Sequence, residues 1–472
     1  MKSSAGVFAV CYIMIVSFFW GCGGQHNGQA LPDLPNIRER GELVAITSYS
    51  PISYFIYRGE VMGYEYELLQ MLQDDLGLPI RIILARDFNE MIEMLEQGSG
   101  DIIAYNLTVT SERRKRLAFT DPLNMTRQVL VQRKPDNWRE MMRHQIEQEV
   151  IRNPLELAGK TIHVRRGSAY ADRLQNLSAE IGEEIIIIEG GEQLTTENLI
   201  KMVAEKKIDF TVADENIARI QAAYYRDLDV ETAISLPQQT AWALRPSSVM
   251  LQDTINNWLQ EVREGVDYYV IYNKYFENRL AFRARYGSEL FPVTGGQISP
   301  FDDLFKEYAE LIGWDWRLLA ALAYQESRFD PGAVSWAGAA GLMQLMPGTA
   351  GEHGAQDPYD PEENIAAATA FIKWLDEYWK EHIQDNEERN LFVMASYNVG
   401  HGHVQDARRL AESHGADPDR WHGNVETYML KKSNPEYYNR EEVKYGYASG
   451  LEPVSYVSNI LSLYDHYSMF VN

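Results

Sequence analysis

The chain of 472 residues changes texture once, and that change limits the folds open to it. Up to about residue 284, short apolar runs alternate with amphipathic stretches. Residues 43–46, 80–84, 101–105, 161–164, 185–188 and 210–213 read as strands. Leu68, Met71, Leu72 and Leu76 mark a helix between the first two strands, and residues 88–97 mark another. Strands alternating with helices predict an α/β domain with a mostly parallel sheet, whose ligands sit at the carboxyl ends of the strands. Beyond Ser299 only helical spacing remains. Phe301, Leu304, Phe305, Tyr308 and Leu311 form one face, and Ile365, Ala368, Ile372, Leu375 and Trp379 form another. Residues 391–397 read as a third buried helix, so the second half predicts an α-helical bundle. The stretch 281–297, with Pro292 and Gly295-Gly296, is the best boundary.

The densest chemistry lies in residues 318–350. Leu318, Leu319, Leu322 and Ala323 recur at helical spacing, and Glu326 continues their stripe. A carboxylate on such a stripe loses water, which raises its pKa toward the range of a general acid. Asp330-Pro331-Gly332 is expected to stop the helix, leaving Glu326 near the negative end of the dipole. On helix pattern alone, an exposed glutamate is the commoner reading.

Residues 1–21 read as a signal peptide, with Lys2 followed by an apolar run from Val7 to Trp20. That run is short for a spanning helix. Phe19-Trp20-Gly21-Cys22 resembles a bacterial lipobox, although Phe19 and Trp20 depart from its usual residues. It implies a lipid on Cys22 and attachment to the periplasmic face of the outer membrane. Cys11 lies in the leader, so the mature chain has no intrachain disulfide. Residues 22–36 read as a polar tether. A net charge of −24 argues against nucleic acid or an anionic membrane surface as partner. The ten histidines are scattered without a cysteine cluster or an HExxH motif, so neither a metal nor another cofactor is expected.

Glu326-Ser327, then Ser335, then GLMQLMP at 341–347 and SYNVG at 396–400 stand in a distinctive order. Together they resemble the lytic transglycosylases with a soluble-lysozyme-like domain, over residues 298–472. The resemblance implies an α-helical lysozyme-like fold and peptidoglycan glycan strands as partner. Glu326 would be the one catalytic residue, whereas ordinary glycan hydrolysis uses two carboxylates. It would protonate the bond between N-acetylmuramic acid and N-acetylglucosamine, helped by the muramoyl acetamide. It would then take the O6 proton, closing a 1,6-anhydro ring. Ser335, Met343, Gln344, Tyr397 and Asn398 would line the sugar groove, with Glu452 and Tyr456 matching late family positions. Ordinary roles compete with each: a solvated loop serine, a core methionine, a buried tyrosine with its turn asparagine. The aromatic stretch 434–447 reads as a sugar-stacking rim or as packing for the last helix.

In the first half, DIIA at 101–104, TVTSER at 108–113 and FTDP at 119–122 resemble periplasmic solute-binding proteins for polar amino acids, over residues 37–284. The resemblance implies a two-lobed domain whose chain returns to the first lobe near residues 240–244. Thr108 and Arg113 from the first lobe, with Ser168 from the second, would hold a ligand carboxylate. Asp214 would take an ammonium, so an amino acid or peptide is the expected ligand. Arg113 also reads as one of four bases, 113–116, on a solvated helix start. Residues 135–153 read as a surface insertion, 266–280 as a packing helix or interdomain face, and 285–297 as a linker. The full expectation is a multidomain envelope transglycosylase biased by ligand binding in its front module. Its rivals are a binding protein with a glycan-holding rear half, and a muramidase-type hydrolase.

Overall fold

The computed structural model describes residues 33–191, 194–288, 290–291 and 296–471. Residues 1–32, with the expected leader and Cys22, lie outside the described residues. Residues 33–36, read above as the end of a tether, belong to the folded body. Asp33 caps the helix Leu34–Arg40 and also accepts from the Met250 and Leu251 amides, while Leu34 is buried.

The first half forms two lobes, each built on one sheet. In the first, Leu43–Thr47 lies between the parallel strands Ile80–Leu84 and Ile102–Thr108. Gln238–Leu244 joins the far side of Ile102–Thr108 in antiparallel fashion, so the chain does return to this sheet. In the second lobe, Ile186–Glu189, Thr161–Val164 and Thr211–Asp214 run parallel, and Gln128–Arg133 pairs antiparallel with the last. Every residue of Leu43–Thr47 is buried, as expected for a strand covered on both faces. In the stretch 135–153, the helix Arg143–Glu149 lies on the surface, anchored by Arg152, whose guanidinium grips Asp229 at 2.6 and 2.8 Å.

The tyrosine-rich segment packs back on the first lobe. Tyr268, Tyr275 and Phe276 are buried, the Tyr268 hydroxyl donates to the Leu123 carbonyl, and Phe276 meets Tyr64 edge-on at 5.0 Å. The helix Arg279–Tyr286 runs through residue 284, and Phe291 is buried against Phe55 at 5.1 Å. Packing, rather than a free linker, carries the described residues there out of the first half.

From Asp302 on, the described residues form helices and isolated bridges only. Trp316–Ser327, the acid helix, carries six consecutive buried residues from Leu318 to Ala323. It packs against the terminal helix, Leu451–Phe470, and the helices Pro361–Lys380 and Asn386–Val399 complete the core. Trp379 is fully buried and donates its indole N–H to Ser396 Oγ at 2.9 Å. Lys432 and Asp406, both inaccessible, pair at 2.7 Å, and Asp406 also accepts from the amides of Lys444 and Tyr445. The amide bonds to Asp406 tie the 440s loop to the helix His401–Ser413.

The terminal helix also docks on the first lobe. Tyr467 donates to the Gly59 carbonyl at 2.8 Å, and Phe470 packs on Tyr49 at 4.4 Å. Burial pushes His466 down to about 4, so its neutral ring hydrogen-bonds the Tyr54 hydroxyl. Gly59 closes the hairpin of Phe55–Tyr57 and Glu60–Met62 at φ +78°, and a Cβ there would lie 2.4 Å from the Phe329 ring. Beside this contact a cleft of about 690 Å³ runs between the halves, bordered by Tyr66, Gln70, Tyr324 and Gln325.

Gly59→Ala should therefore strain the hairpin and push against Phe329, destabilising the docked state by about 1–3 kcal/mol. Thermal unfolding together with proteolysis of the joint between the halves checks this. An unchanged melting temperature and cleavage rate would show that the hairpin tip carries no docking energy.

Candidate active site and ligand cleft

Glu326 is the penultimate residue of the acid helix. The helix does not wait for Asp330-Pro331-Gly332 to end. Its cap is Arg328 at φ +54°, followed by Phe329 at φ +62°. Two successive side-chain-bearing residues in the left-handed region cost about 1–2 kcal/mol each. Packing of Phe329 against Tyr324 and Phe305, at 5.5 and 5.9 Å, holds the turn.

The Glu326 carboxyl accepts a short hydrogen bond from the Tyr456 hydroxyl. Burial pushes the carboxyl up to about 7, and the bond from Tyr456 partly opposes the shift by favouring the charged form. Neither a cation nor a second carboxylate is among the causes of that shift. Tyr397 is close enough for the Glu326 charge to raise its pKa, and its own hydroxyl donates to the Met343 carbonyl at 2.7 Å.

The loop 333–346 faces this pair. Gln344 sits at φ +46° and spends its amide N–H groups on the carbonyls of Ala333 and Gly341, at 3.0 and 2.9 Å. Its Oε1 accepts no hydrogen bond among the described residues. Ser335 Oγ accepts from the Ala339 amide at 3.0 Å, which closes the loop and leaves its O–H to donate. Met343 is fully buried, so it presents a backbone carbonyl to Tyr397 and no side-chain surface to a sugar. Asn398 is half-buried on the last turn of its helix, with no hydrogen bond to its side chain among the described residues. Glu452 is exposed in the first turn of the terminal helix, one turn before the buried Tyr456.

Sequence reasoning missed Asn364. It is fully buried, accepts from the Met343 amide at 2.7 Å and donates to the Ala340 carbonyl at 3.2 Å, fastening the loop from behind. A lone asparagine inside the helix Pro361–Lys380 carries no local signal of that task. The stretch 434–447 is divided in use: Tyr437 packs on His414, whereas Tyr445 and Tyr447 stand exposed.

The four residues expected to hold a ligand in the first half do converge. Thr108, Arg113, Ser168 and Asp214 line one cavity between the lobes, of only about 20 Å³, room for about one water. Arg114, Lys115 and Arg116 are exposed, but Arg113 turns inward. Its guanidinium donates to the Thr108 carbonyl at 2.9 Å and, across the cleft, to the Gly167 carbonyl at 3.1 Å. Ser168 donates to the Arg165 carbonyl at 2.6 Å. Burial pushes Asp214 up to about 7; Tyr170 donates to Oδ2 at 3.2 Å, and buried Oδ1 has no hydrogen-bond partner among the described residues. Arg165, which the sequence reading passed over, also spans the lobes, bonding Tyr105 and Ser48 at 2.9 Å each. Two arginines therefore hold the cleft shut.

Comparison with known proteins agrees with both halves. Residues 43–278 match the family of bacterial extracellular solute-binding proteins, family 3, and residues 303–419 match the transglycosylase SLT domain. A membrane-bound lytic murein transglycosylase F of Desulfosudis oleivorans is 35% identical over 437 residues, covering 93% of this chain and 92% of that protein. The chain belongs to the membrane-bound lytic murein transglycosylase F family. Another member, from Pseudomonas fluorescens, is 30% identical over 92% of this chain and 86% of its own. Among solved structures, an ancestral arginine-binding protein bound to arginine covers 50% of this chain and 99% of its own, at 21% identity and a TM-score of 0.43. Glu452 and Tyr456 lie beyond the part that the SLT domain matches.

In this member of the lytic murein transglycosylase F family, a role for Glu326 as general acid predicts that turnover falls as pH rises through about 7, because burial raises its pKa. Tyr456→Phe removes the donor that favours the carboxylate, so the alkaline limb should move to higher pH. The pH profile of kcat/KM for the two proteins checks this. A limb near the ordinary value of 4.5 would contradict it.

Proposed function

We propose that this chain cleaves the MurNAc–GlcNAc bond of peptidoglycan without water, with Glu326 as acid and then base. The observation that carries the reading is the desolvated Glu326 carboxyl, whose raised pKa comes from burial, opposed only by a neutral tyrosine, and not from a paired carboxylate. A two-carboxylate hydrolase needs its pair roughly 5–10 Å apart. Glu326 donates its proton to the glycosidic oxygen as that bond breaks. The muramoyl acetamide oxygen stabilises the cation developing at C1. The carboxylate, kept in place by Tyr456, then takes the O6 proton while O6 bonds to C1. A 1,6-anhydro ring closes and Glu326 is protonated again. Gln344 Oε1 and the Ser335 hydroxyl would receive acetamide or hydroxyl groups of the sugars, Tyr397 and Asn398 would orient them, and Glu452 would sit at the rim.

The front module would take an amino acid or peptide, carboxylate on Arg113, Thr108 and Ser168, ammonium on Asp214. The unpartnered Asp214 oxygen and the inward Arg113 support this reading. A cavity of about 20 Å³ admits no such ligand, so binding requires the lobes to part. The first lobe is docked on the helix that carries Tyr456, so parting the lobes gives the ligand a route to Glu326. Cleavage of the leader and a lipid on Cys22 would fix the enzyme to the envelope membrane, the outer membrane in this reading. No helix among the described residues is long and apolar enough to cross a membrane.

Mass analysis of digested peptidoglycan tests the reaction. Products about 18 Da lighter than hydrolytic muropeptides, absent with Glu326→Gln, are expected. Ordinary reducing ends would instead establish a hydrolase.

Calorimetry with L-arginine, L-glutamine and stem peptides tests the module. Arg113→Ala should weaken binding of the active probe by roughly 10- to 100-fold, the loss of a charged hydrogen bond. Binding that leaves full-length turnover unchanged would refute the regulatory role.

A further inference from the structure

One face of the helix Pro361–Lys380 carries an aromatic row that the chemistry above does not use. Phe371, Trp374 and Tyr378 stand three and four residues apart, on one side of the helix. The row starts at the active site, because the Phe371 ring lies 5.4 Å from Tyr397, which feels the Glu326 charge. Trp374 stacks on Phe371 with centroids 6.0 Å apart and planes 14° apart. Tyr378 follows at 6.1 Å and 24°. His401 closes the row edge-on, 5.1 Å from Trp374 and 4.8 Å from Tyr378.

Aromatic residues at helical spacing are most often core. Here the core face is a different one, since Ile372, Leu375 and Trp379 of the same helix are fully buried. Trp374 is 44% exposed, and Phe371 and Tyr378 are partly so. An indole held nearly parallel to its neighbours and open to water is a flat apolar strip with a polar edge. Pyranose rings offer the complement: a flat face of C–H groups ringed by hydroxyls and acetamides. Burial lowers the His401 pKa, so the row presents no fixed charge near neutral pH, which suits an uncharged sugar backbone.

We propose that Phe371, Trp374 and Tyr378 form a sugar-stacking platform that extends the catalytic groove past Tyr397 and holds the glycan strand away from the cleaved bond. The proposal rests on the glycan-cleaving reading of Glu326. The platform adds affinity only for strands long enough to reach it, so it favours polymer over short fragments.

The test measures binding of N-acetylglucosamine oligomers of increasing length to the full chain carrying Glu326→Gln, with and without Trp374→Ala. Without the second change, affinity should rise with length until the platform is covered. Trp374→Ala should weaken the long oligomers about 5- to 10-fold and leave the shortest as they were. Trp374→Phe should restore most of the loss, which a merely structural defect would not follow. Equal affinities with and without Trp374→Ala, at every length and with the same melting temperature, would overturn the platform while leaving the catalytic reading intact. No oligomer binding to the parent would also overturn the platform, while the peptidoglycan digest decides the catalytic reading separately.

Discussion

The site depends on removing water from one carboxyl without bringing a cation to it. A salt bridge would pull Glu326 down and make it a permanent base; burial alone moves it the other way. Here burial dominates, and the one strong partner is a neutral hydroxyl. Tyr456 is itself buried with a pKa pushed well above its ordinary value, so it remains a donor and does not compete as an acid. The carboxyl thereby sits where it can both give and take a proton near neutral pH, as one residue performing two proton transfers requires.

Much of the rear half follows from holding that carboxyl in place. The acid helix is buried along six successive residues, ends in a strained turn, and is clasped by the terminal helix that supplies Tyr456. The loop opposite is stapled by Asn364 and by the Gln344 amide, and Gly341 fits because a Cβ there would lie 2.1 Å from the Pro358 carbonyl. The terminal helix then continues to His466, Tyr467 and Phe470, which seat the first lobe. The helix that supplies Tyr456 to Glu326 is thus the same one that seats the first lobe.

Local chemistry was legible in the sequence wherever spacing carried it. The strands of the first sheet, the stripe leading to Glu326 and the cleft residues Thr108, Arg113, Ser168 and Asp214 all lie where pattern and resemblance put them. Long-range contacts were not legible. Nothing near Arg113 distinguishes it from the exposed bases after it; the carbonyl of Gly167, 54 residues away, does. Arg165 and Asn364 act on segments far along the chain and look ordinary where they stand. Met343 illustrates the converse, a motif residue whose side chain is fully buried. Leu34 and Phe291 lie in segments whose polar, proline- and glycine-containing composition reads as tether and linker, yet each is buried.

The most direct measurement is a titration of the Glu326 carboxyl itself. Infrared or carbon NMR difference spectra between the wild-type chain and Glu326→Gln would isolate its protonation in the absence of turnover. The account predicts a midpoint at about 7, displaced upward by burial. A midpoint near 4.5 would mean that water or an unrecognised cation reaches the carboxyl, and that Glu326 is ionised before any substrate arrives.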